Sequence, residues 1–419
     1  MRLNHKSGLQ TPYSVYNRIK RRREVREMLL YYKFNNFCSF HTESEFSMEA
    51  PTGKVKSRFP NNYFTSKTGY DVLKTAVIVG ENAGGKSNFI NSIKFMKSLF
   101  DNNAPIKTIR SYINSHSLMQ NQNPVQTYEM SILCQDSTIY NYTLSIDKDS
   151  IVSEKLERTA KRKGTPTNVF EINRDVDNKY VFIKGTAEKE GKTVTQNSNN
   201  SYGLFVSKLA LLGNKDAQNV TEWFLTKLYP GAVQTDQESD IKRREADFEI
   251  LKTDKYLEIF RMVDYSICGI VLDEEKPFSK TLMIRKDASG HEYRRELQED
   301  STGVREFFAW AVQIYRVVEE NKVIFADEMD RVLNPVLSDR VIAYINGCEH
   351  SGQFIFSTHN VLHLDLKRYM KEQIYFITKD EESLTSELYS LADFTEVRYE
   401  LTKIYEFYMK GILGGTANE

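Results

Sequence analysis

The sequence predicts an α/β fold, a parallel sheet covered by helices, on three observations. Thr75-Ala76-Val77-Ile78-Val79 is a short apolar β-branched run, the composition of a strand buried on both faces. It leads into the glycine-rich segment Gly80–Ser87, after which Phe89, Ile90, Ile93, Phe95, Met96 and Leu99 line one side of a helix. From residue 300 the pattern alternates between helix and strand: helix Val304–Val318, strand Val323–Ala326, helix Asn334–Ile345, then strands Gln353–Ser357 and Gln373–Ile377. Such alternation implies parallel strands joined by helical crossovers.

Ahead of this core, Met28–Phe34 reads as a strand, followed by Asn36–Phe40 and a return strand over Ser44–Met48. Thr127–Ile146 reads as a hairpin, with alternating apolar residues and a turn near Gln135-Asp136-Ser137. Residues 150–200 are polar and turn-rich, with strand signals at Val169–Ile172 and Tyr180–Ile183. Residues 203–229 turn helical, with Leu204, Phe205, Leu209, Leu212, Trp223, Phe224 and Leu228 as expected core. Thr235–Asp247 is strongly charged and expected to be exposed. Four sections follow: a basic tail at 1–27, the first part of the core at 28–100, an inserted β-rich arm and helical lobe at 101–299, and the rest of the core at 300–419. In the tail, Arg18, Lys20, Arg21, Arg22, Arg23 and Arg26 suit either a nucleic-acid-binding arm or a solvated extension, and the second reading is favoured.

Composition narrows the function classes. Lysine plus arginine equals aspartate plus glutamate at 57 each, so bulk charge does not drive nucleic-acid binding, and any such contact needs a local patch. Cys38, Cys134, Cys268 and Cys348 are far apart, which excludes a zinc motif and fits a reducing cytoplasm. No apolar run approaches the roughly 18 residues of a membrane span. No signal peptide is legible, so the expected location is the cytoplasm, without a membrane partner. No sustained heptad array signals a long coiled coil.

Four groups of residues carry chemistry. The segment Gly80-Glu81-Asn82-Ala83-Gly84-Gly85-Lys86-Ser87, followed by Asn88, has the spacing of a phosphate loop between a strand and a helix. Its glycines let successive N–H groups face a phosphate, Lys86 reaches the β- and γ-phosphates, and Ser87 ligates Mg²⁺. Next, Val323–Ala326 delivers Asp327 and Glu328 to the carboxyl edge of the sheet, where ligands bind in open α/β folds. Asp327 suits Mg²⁺ and Glu328 suits accepting a proton from an attacking water. Then Phe354–Ser357 leads to Thr358-His359 at the same edge, where the histidine suits contact with the γ-phosphate and the water. Last, Asp300-Ser301-Thr302-Gly303 opens a helix: an anion site in one reading, a plain N-cap in the other.

In this order the four groups resemble the ABC/SMC-type ATPase head, over about Met28–Gly414. The resemblance is to the AAA-domain ATPases of prokaryotic abortive-infection loci, of the AbiL and RloA type, related to the ATPase half of overcoming-lysogenization-defect (OLD) nucleases. Further matching pieces are Lys33–Phe40, Asp327-Glu328-Met329-Asp330, Phe394–Arg398 and Tyr408–Gly411. The resemblance implies a P-loop ATPase using ATP and Mg²⁺, with two copies of the chain enclosing two nucleotides. It makes Glu328, His359 and Lys86 catalytic, places Ser301 and Gly303 in the signature motif that meets the partner's γ-phosphate, and puts Asp330 in the loop joining the two sites. It also implies a phage-defence role in which the chain controls a separate toxic effector protein. The sequence departs from the family pattern at Ala83, Val304 and Asn334, and Gln126 is the one candidate for the Q-loop glutamine. A DNA-repair or DNA-end-binding ATPase and an ATP-gated scaffold of negligible turnover are the alternative readings.

Overall fold

A computed structural model describes residues 27–102, 125–147, 150–160, 162–197, 203–230, 245–331, 333–400 and 403–414. The basic run at Arg18–Arg26 lies outside the described residues.

In chain order the first elements are β1 (Met28–Phe34), β2 (Ser44–Ser47), β3 (Tyr63–Thr65), β4 (Asp71–Leu73), β5 (Thr75–Gly80) and α1 (Lys86–Asn102). The middle section holds β6 (Gln126–Leu133), β7 (Ile139–Ile146), β8 (Ile151–Thr159), β9 (Thr167–Arg174), β10 (Tyr180–Lys184), α2 (Glu188–Asn197), α3 (Phe205–Leu211), α4 (Lys215–Thr226) and β11 (Leu228–Pro230). Then come α5 (Glu245–Leu251), α6 (Asp254–Phe260), β12 (Ile267–Val271), β13 (Leu282–Lys286) and β14 (Glu292–Glu296). The chain closes with α7 (Thr302–Val318), β15 (Val323–Ala326), α8 (Pro335–Gly347), β16 (Gln353–Thr358), β17 (Ile374–Lys379), β18 (Ser386–Ser390) and α9 (Ile404–Met409).

The expected parallel sheet has the order β11-β15-β16-β5-β17-β18, with only β18 antiparallel to its neighbour. Its central strands are buried on both faces, and alternate residues feed two cores. Ala76, Ile78, Phe325 and Ile355 face one core, while Val77, Val79, Ile324 and Phe354 face the other. The second core is closed by α6, α7 and α8.

The first core lies against an antiparallel sheet of order β10-β9-β8-β7-β6-β1-β2. Phe89 of α1 is its centre, touching Tyr32 and Phe34 of β1, Phe46 of β2 and Phe325 of β15. Within the inserted section, β6 pairs along β1 from Met28↔Leu133 to Phe34↔Tyr128, so its strands continue the sheet that β1 begins. This pairing satisfies the edge that β1 would otherwise expose. Gln353 ties the two sheets together where β1 slips register. Its amide accepts from Leu29 N–H at 2.7 Å and donates to Leu29 O at 3.0 Å, replacing a strand partner.

Three expectations need correction. The turn-rich stretch 150–200 contains a nine-residue strand, β8, and a helix, α2. The alternation of β8 is hidden because Glu154 occupies an inward position; it is stabilised there by the N–H groups of Phe205 and Val206 and the Tyr142 hydroxyl. Leu212 is exposed at the C-terminal end of α3, outside the core. Asp247, placed in an exposed segment by its charged neighbours, is buried against the Arg316 guanidinium of α7.

Candidate functional site

The glycine-rich loop is shaped from behind as much as from in front. Gly80 ends β5, and a Cβ there would lie 2.1 Å from Ile377 O on β17. The backbone then turns with Ala83 at φ +61° and Gly85 at φ +121°, and α1 starts when Phe89 N–H reaches Gly85 O at 3.0 Å. Ala83 occupies the left-handed region, where a Cβ is strained by roughly 1–2 kcal/mol. This is the structural meaning of the alanine in a position that suits glycine. Asn82, Ala83 and Ser87 are exposed, while Lys86 is buried. Lys86 Nζ donates to Gly80 O and Glu81 O, each at 2.8 Å. Burial pushes its pKa below the ordinary lysine value; the fields of Asp327, Asp330, Glu328 and Glu81 act in the opposite direction.

Strand register brings the acidic pair to this lysine. Ala326 of β15 pairs with Phe356 of β16, and Thr358 of β16 pairs with Val79 of β5. The residues just past these strand ends are therefore neighbours at one edge. The buried Ser357 hydroxyl donates to Asp327 Oδ1 at 2.5 Å and accepts from Glu328 N–H at 2.8 Å. Glu328 has φ +49° and is exposed, with its carboxylate 3.9 Å from the Arg331 guanidinium. Exposed His359 donates its N–H to Asp330 Oδ1 at 3.0 Å, which links the histidine loop to the acidic loop.

Ser301 and Gly303 stand differently. Ser301 is the N-cap of α7 and accepts from Val304 N–H at 3.4 Å, so the plain cap geometry is realised. Asp300 beside it pairs with Arg285, which also holds Asp264. Among the described residues neither Ser301 nor Gly303 hydrogen-bonds to the loop or the acidic pair, and both are exposed. The departures from the family pattern have local uses. Val304 is buried in the second core, and Asn334 caps α8 by accepting from Val336 and Leu337 N–H. Gln126 is buried in β6, where it donates to Asn36 O and accepts from the Tyr128 hydroxyl.

No motif marks three further residues behind the loop. Ser386 of β18 donates to Gly84 O at 2.5 Å, Ser39 accepts from Asn88 Nδ2 at 2.8 Å, and Ile377 O closes against Gly80. The Asn88 amide is thus turned to Ser39. These residues are far apart in sequence, and only the packed fold brings them together.

The donor set fits a nucleotide with a hard divalent cation. The Ser87 hydroxyl and the Asp327 carboxylate offer oxygen ligands at one edge. Among the described residues there is no cluster of three or more His, Cys, Asp or Glu that builds an all-protein metal cage. Mg²⁺ is held in such sites by one or two protein oxygens, with waters and substrate phosphates completing the shell.

A family model described as "AAA domain, putative AbiEii toxin, Type IV TA system" matches residues 76–365. The chain belongs to this family. Its AAA domain thus runs from β5 through the acidic pair and the histidine loop, and the antiparallel strands 126–184 fall inside the matched region. Solved structures similar to the chain include the SMC head domain from Thermotoga maritima, at 14% identity and TM-score 0.43, covering 86% of this chain and 98% of that one. A second is an SmcHead bound to the C-winged helix domain of ScpA, at 14% identity and TM-score 0.42, covering 86% and 97%. A third is the Smc head domain with an extended coiled coil bound to the C-terminal domain of ScpA, from Pyrococcus furiosus, at 13% identity and TM-score 0.41, covering 92% and 99%. No curated protein matches the sequence. Among the described residues no helix is long and apolar enough to cross a membrane.

Proposed function

We propose that this AAA domain binds ATP at Gly80–Asn88 and hydrolyses it to ADP and phosphate. The observation that carries the reading is the burial of Lys86 at a sheet edge where Asp327, Glu328 and Asp330 converge on its charge. A buried ammonium at a helix N-terminus suits a polyphosphate, and the carboxylates beside it suit the divalent cation that accompanies one.

Lys86 exchanges its carbonyl acceptors for phosphate oxygens and neutralises charge growing there. Ser87 and Asp327 hold Mg²⁺, which supplies further neutralisation when bound. Glu328, exposed and free of the core, orients a water and takes its proton; His359 approaches the same phosphate from the adjacent strand. Ser301 accepts from its own helix but keeps its hydroxyl proton for an outside acceptor, and Gly303 leaves open space beside it. These exposed groups suit the γ-phosphate held by a second copy, giving a dimer that closes on ATP and opens on hydrolysis.

The wider role is that of a cytoplasmic regulator in phage defence, of the AbiL and RloA type, controlling a separate toxic effector protein. Its support is the AbiEii wording of the matched family and the resemblance carried by the motifs. Light scattering on the Glu328→Gln chain tests the assembly: Mg·ATP should convert monomers to dimers. A chain that stays monomeric at saturating ATP rules the sandwich out. Strong stimulation of turnover by DNA ends, in place of dependence on an effector, sends the role to DNA repair.

A further inference from the structure

The loop is gripped from outside by two serines, one at the start of β18 and one in the connection between β1 and β2. Ser386 opens β18 and is fully buried; its hydroxyl donates to the Gly84 carbonyl at 2.5 Å and stands 2.7 Å from Ser39 Oγ. Ser39, in the connection between β1 and β2, accepts from Asn88 Nδ2 at 2.8 Å, and its carbonyl accepts from Ser386 N–H at 2.7 Å. One clasp therefore touches both the loop and the first turn of α1. The packing is close, since a Cβ on Gly85 would fall 2.4 Å from Ser386 Oγ and 3.0 Å from Ser39 Oγ.

The peptide between Gly84 and Gly85 is planar and trans, so its carbonyl and its N–H point in opposite directions. Holding Gly84 O toward Ser386 of β18 turns Gly85 N–H the other way. A peptide left free there would be able to rotate and present its carbonyl to an incoming phosphate, which is repulsive. We infer that Ser386, backed by Ser39, is a positioning residue that aims the Gly85 N–H at the phosphate chain of a nucleoside di- or triphosphate. The inference rests on the nucleotide reading above and adds to it the residues that pre-set the loop.

The test is titration of the full-length chain with a fluorescent methylanthraniloyl-ADP, alongside melting without nucleotide and ATP turnover. Ser386→Ala should bind about tenfold more weakly, the size of one lost hydrogen bond aimed through a peptide. The KM for ATP should rise by a similar factor while kcat changes less than about twofold, the signature of lost ground-state binding. Ser39→Ala should show a smaller loss, and the double variant little more than Ser386→Ala alone, because both act through one clasp. Ser386→Ala that binds like the parent overturns the inference and leaves the nucleotide reading intact. If Ser386→Ala does not fold, Ser39→Ala decides from the half-buried side, and unchanged affinity there overturns it equally. A parent chain that binds no nucleotide overturns the reading itself, and the inference with it.

Discussion

The Ser357 hydroxyl donates to Asp327 Oδ1 across the ends of two neighbouring parallel strands, at 2.5 Å, and accepts from the next residue's N–H at 2.8 Å. A single buried hydroxyl thus fixes the acidic carboxylate and the backbone of Glu328 together. Its removal leaves the Glu328 N–H without this acceptor and Asp327 free to turn. Ser357→Ala should lower stability by about 1–3 kcal/mol and weaken Mg²⁺-dependent nucleotide binding more than binding without Mg²⁺. Titration with and without EDTA reads the difference. An equal loss in both conditions separates Ser357 from the metal-facing role of Asp327.

Gly80 is required by β17, whatever the loop binds. A Cβ there would meet Ile377 O at 2.1 Å, backbone against backbone, with neither strand free to move in a sheet buried on both faces. Gly80→Ala should destabilise the chain by about 3 kcal/mol or more, by overpacking a site that does not relax. Urea unfolding measures it; a change below about 1 kcal/mol is incompatible with this packing.

Ala83 gives the opposite sign. Its φ of +61° strains a Cβ that faces solvent and packs against nothing essential. Ala83→Gly should stabilise the folded chain by up to about 1 kcal/mol, the relief of left-handed strain less the added freedom of the unfolded glycine. Unfolding curves check the sign directly.

Glu154 predicts a pH effect remote from the site. Burial raises its carboxyl pKa from the ordinary 4.5 to about 7, opposed by the N–H groups of Val206 and Phe205, the Tyr142 hydroxyl and the Lys208 charge. Tyr180 also faces this group. A folded pKa above the unfolded value means that the folded state binds the proton more tightly. The contribution to stability is full below about pH 4.5 and is lost as pH rises toward 7. Relative to the parent, Glu154→Gln should gain stability across this window, flattening the decline. Melting temperatures of the two proteins from pH 4.5 to pH 8 measure it, and parallel curves contradict it.

These cases mark where the sequence speaks and where it falls silent. Val323–Ala326 and Thr75–Val79 are legible because strands buried on both faces need unbroken apolar runs, and the glycine spacing after Val79 has few other uses. The strand β8 is not legible, because Glu154 is inward and its compensation comes from the start of α3, some fifty residues later. Ser39 and Ser386 carry no pattern at all, since their meeting depends on two sheets folding against one loop. Ser301 is legible as a cap, and its capping geometry is what the fold displays.

In the function we propose, Lys86 and Glu328 serve one ATP: the lysine holds its phosphates and the carboxylate activates water. Phosphate release from Mg·ATP, measured for the parent and for Glu328→Gln at matched nucleotide occupancy, tests it most directly. Glu328→Gln should bind ATP as tightly as the parent while its release rate falls by about a hundredfold or more. Release at the parent's rate by Glu328→Gln contradicts it.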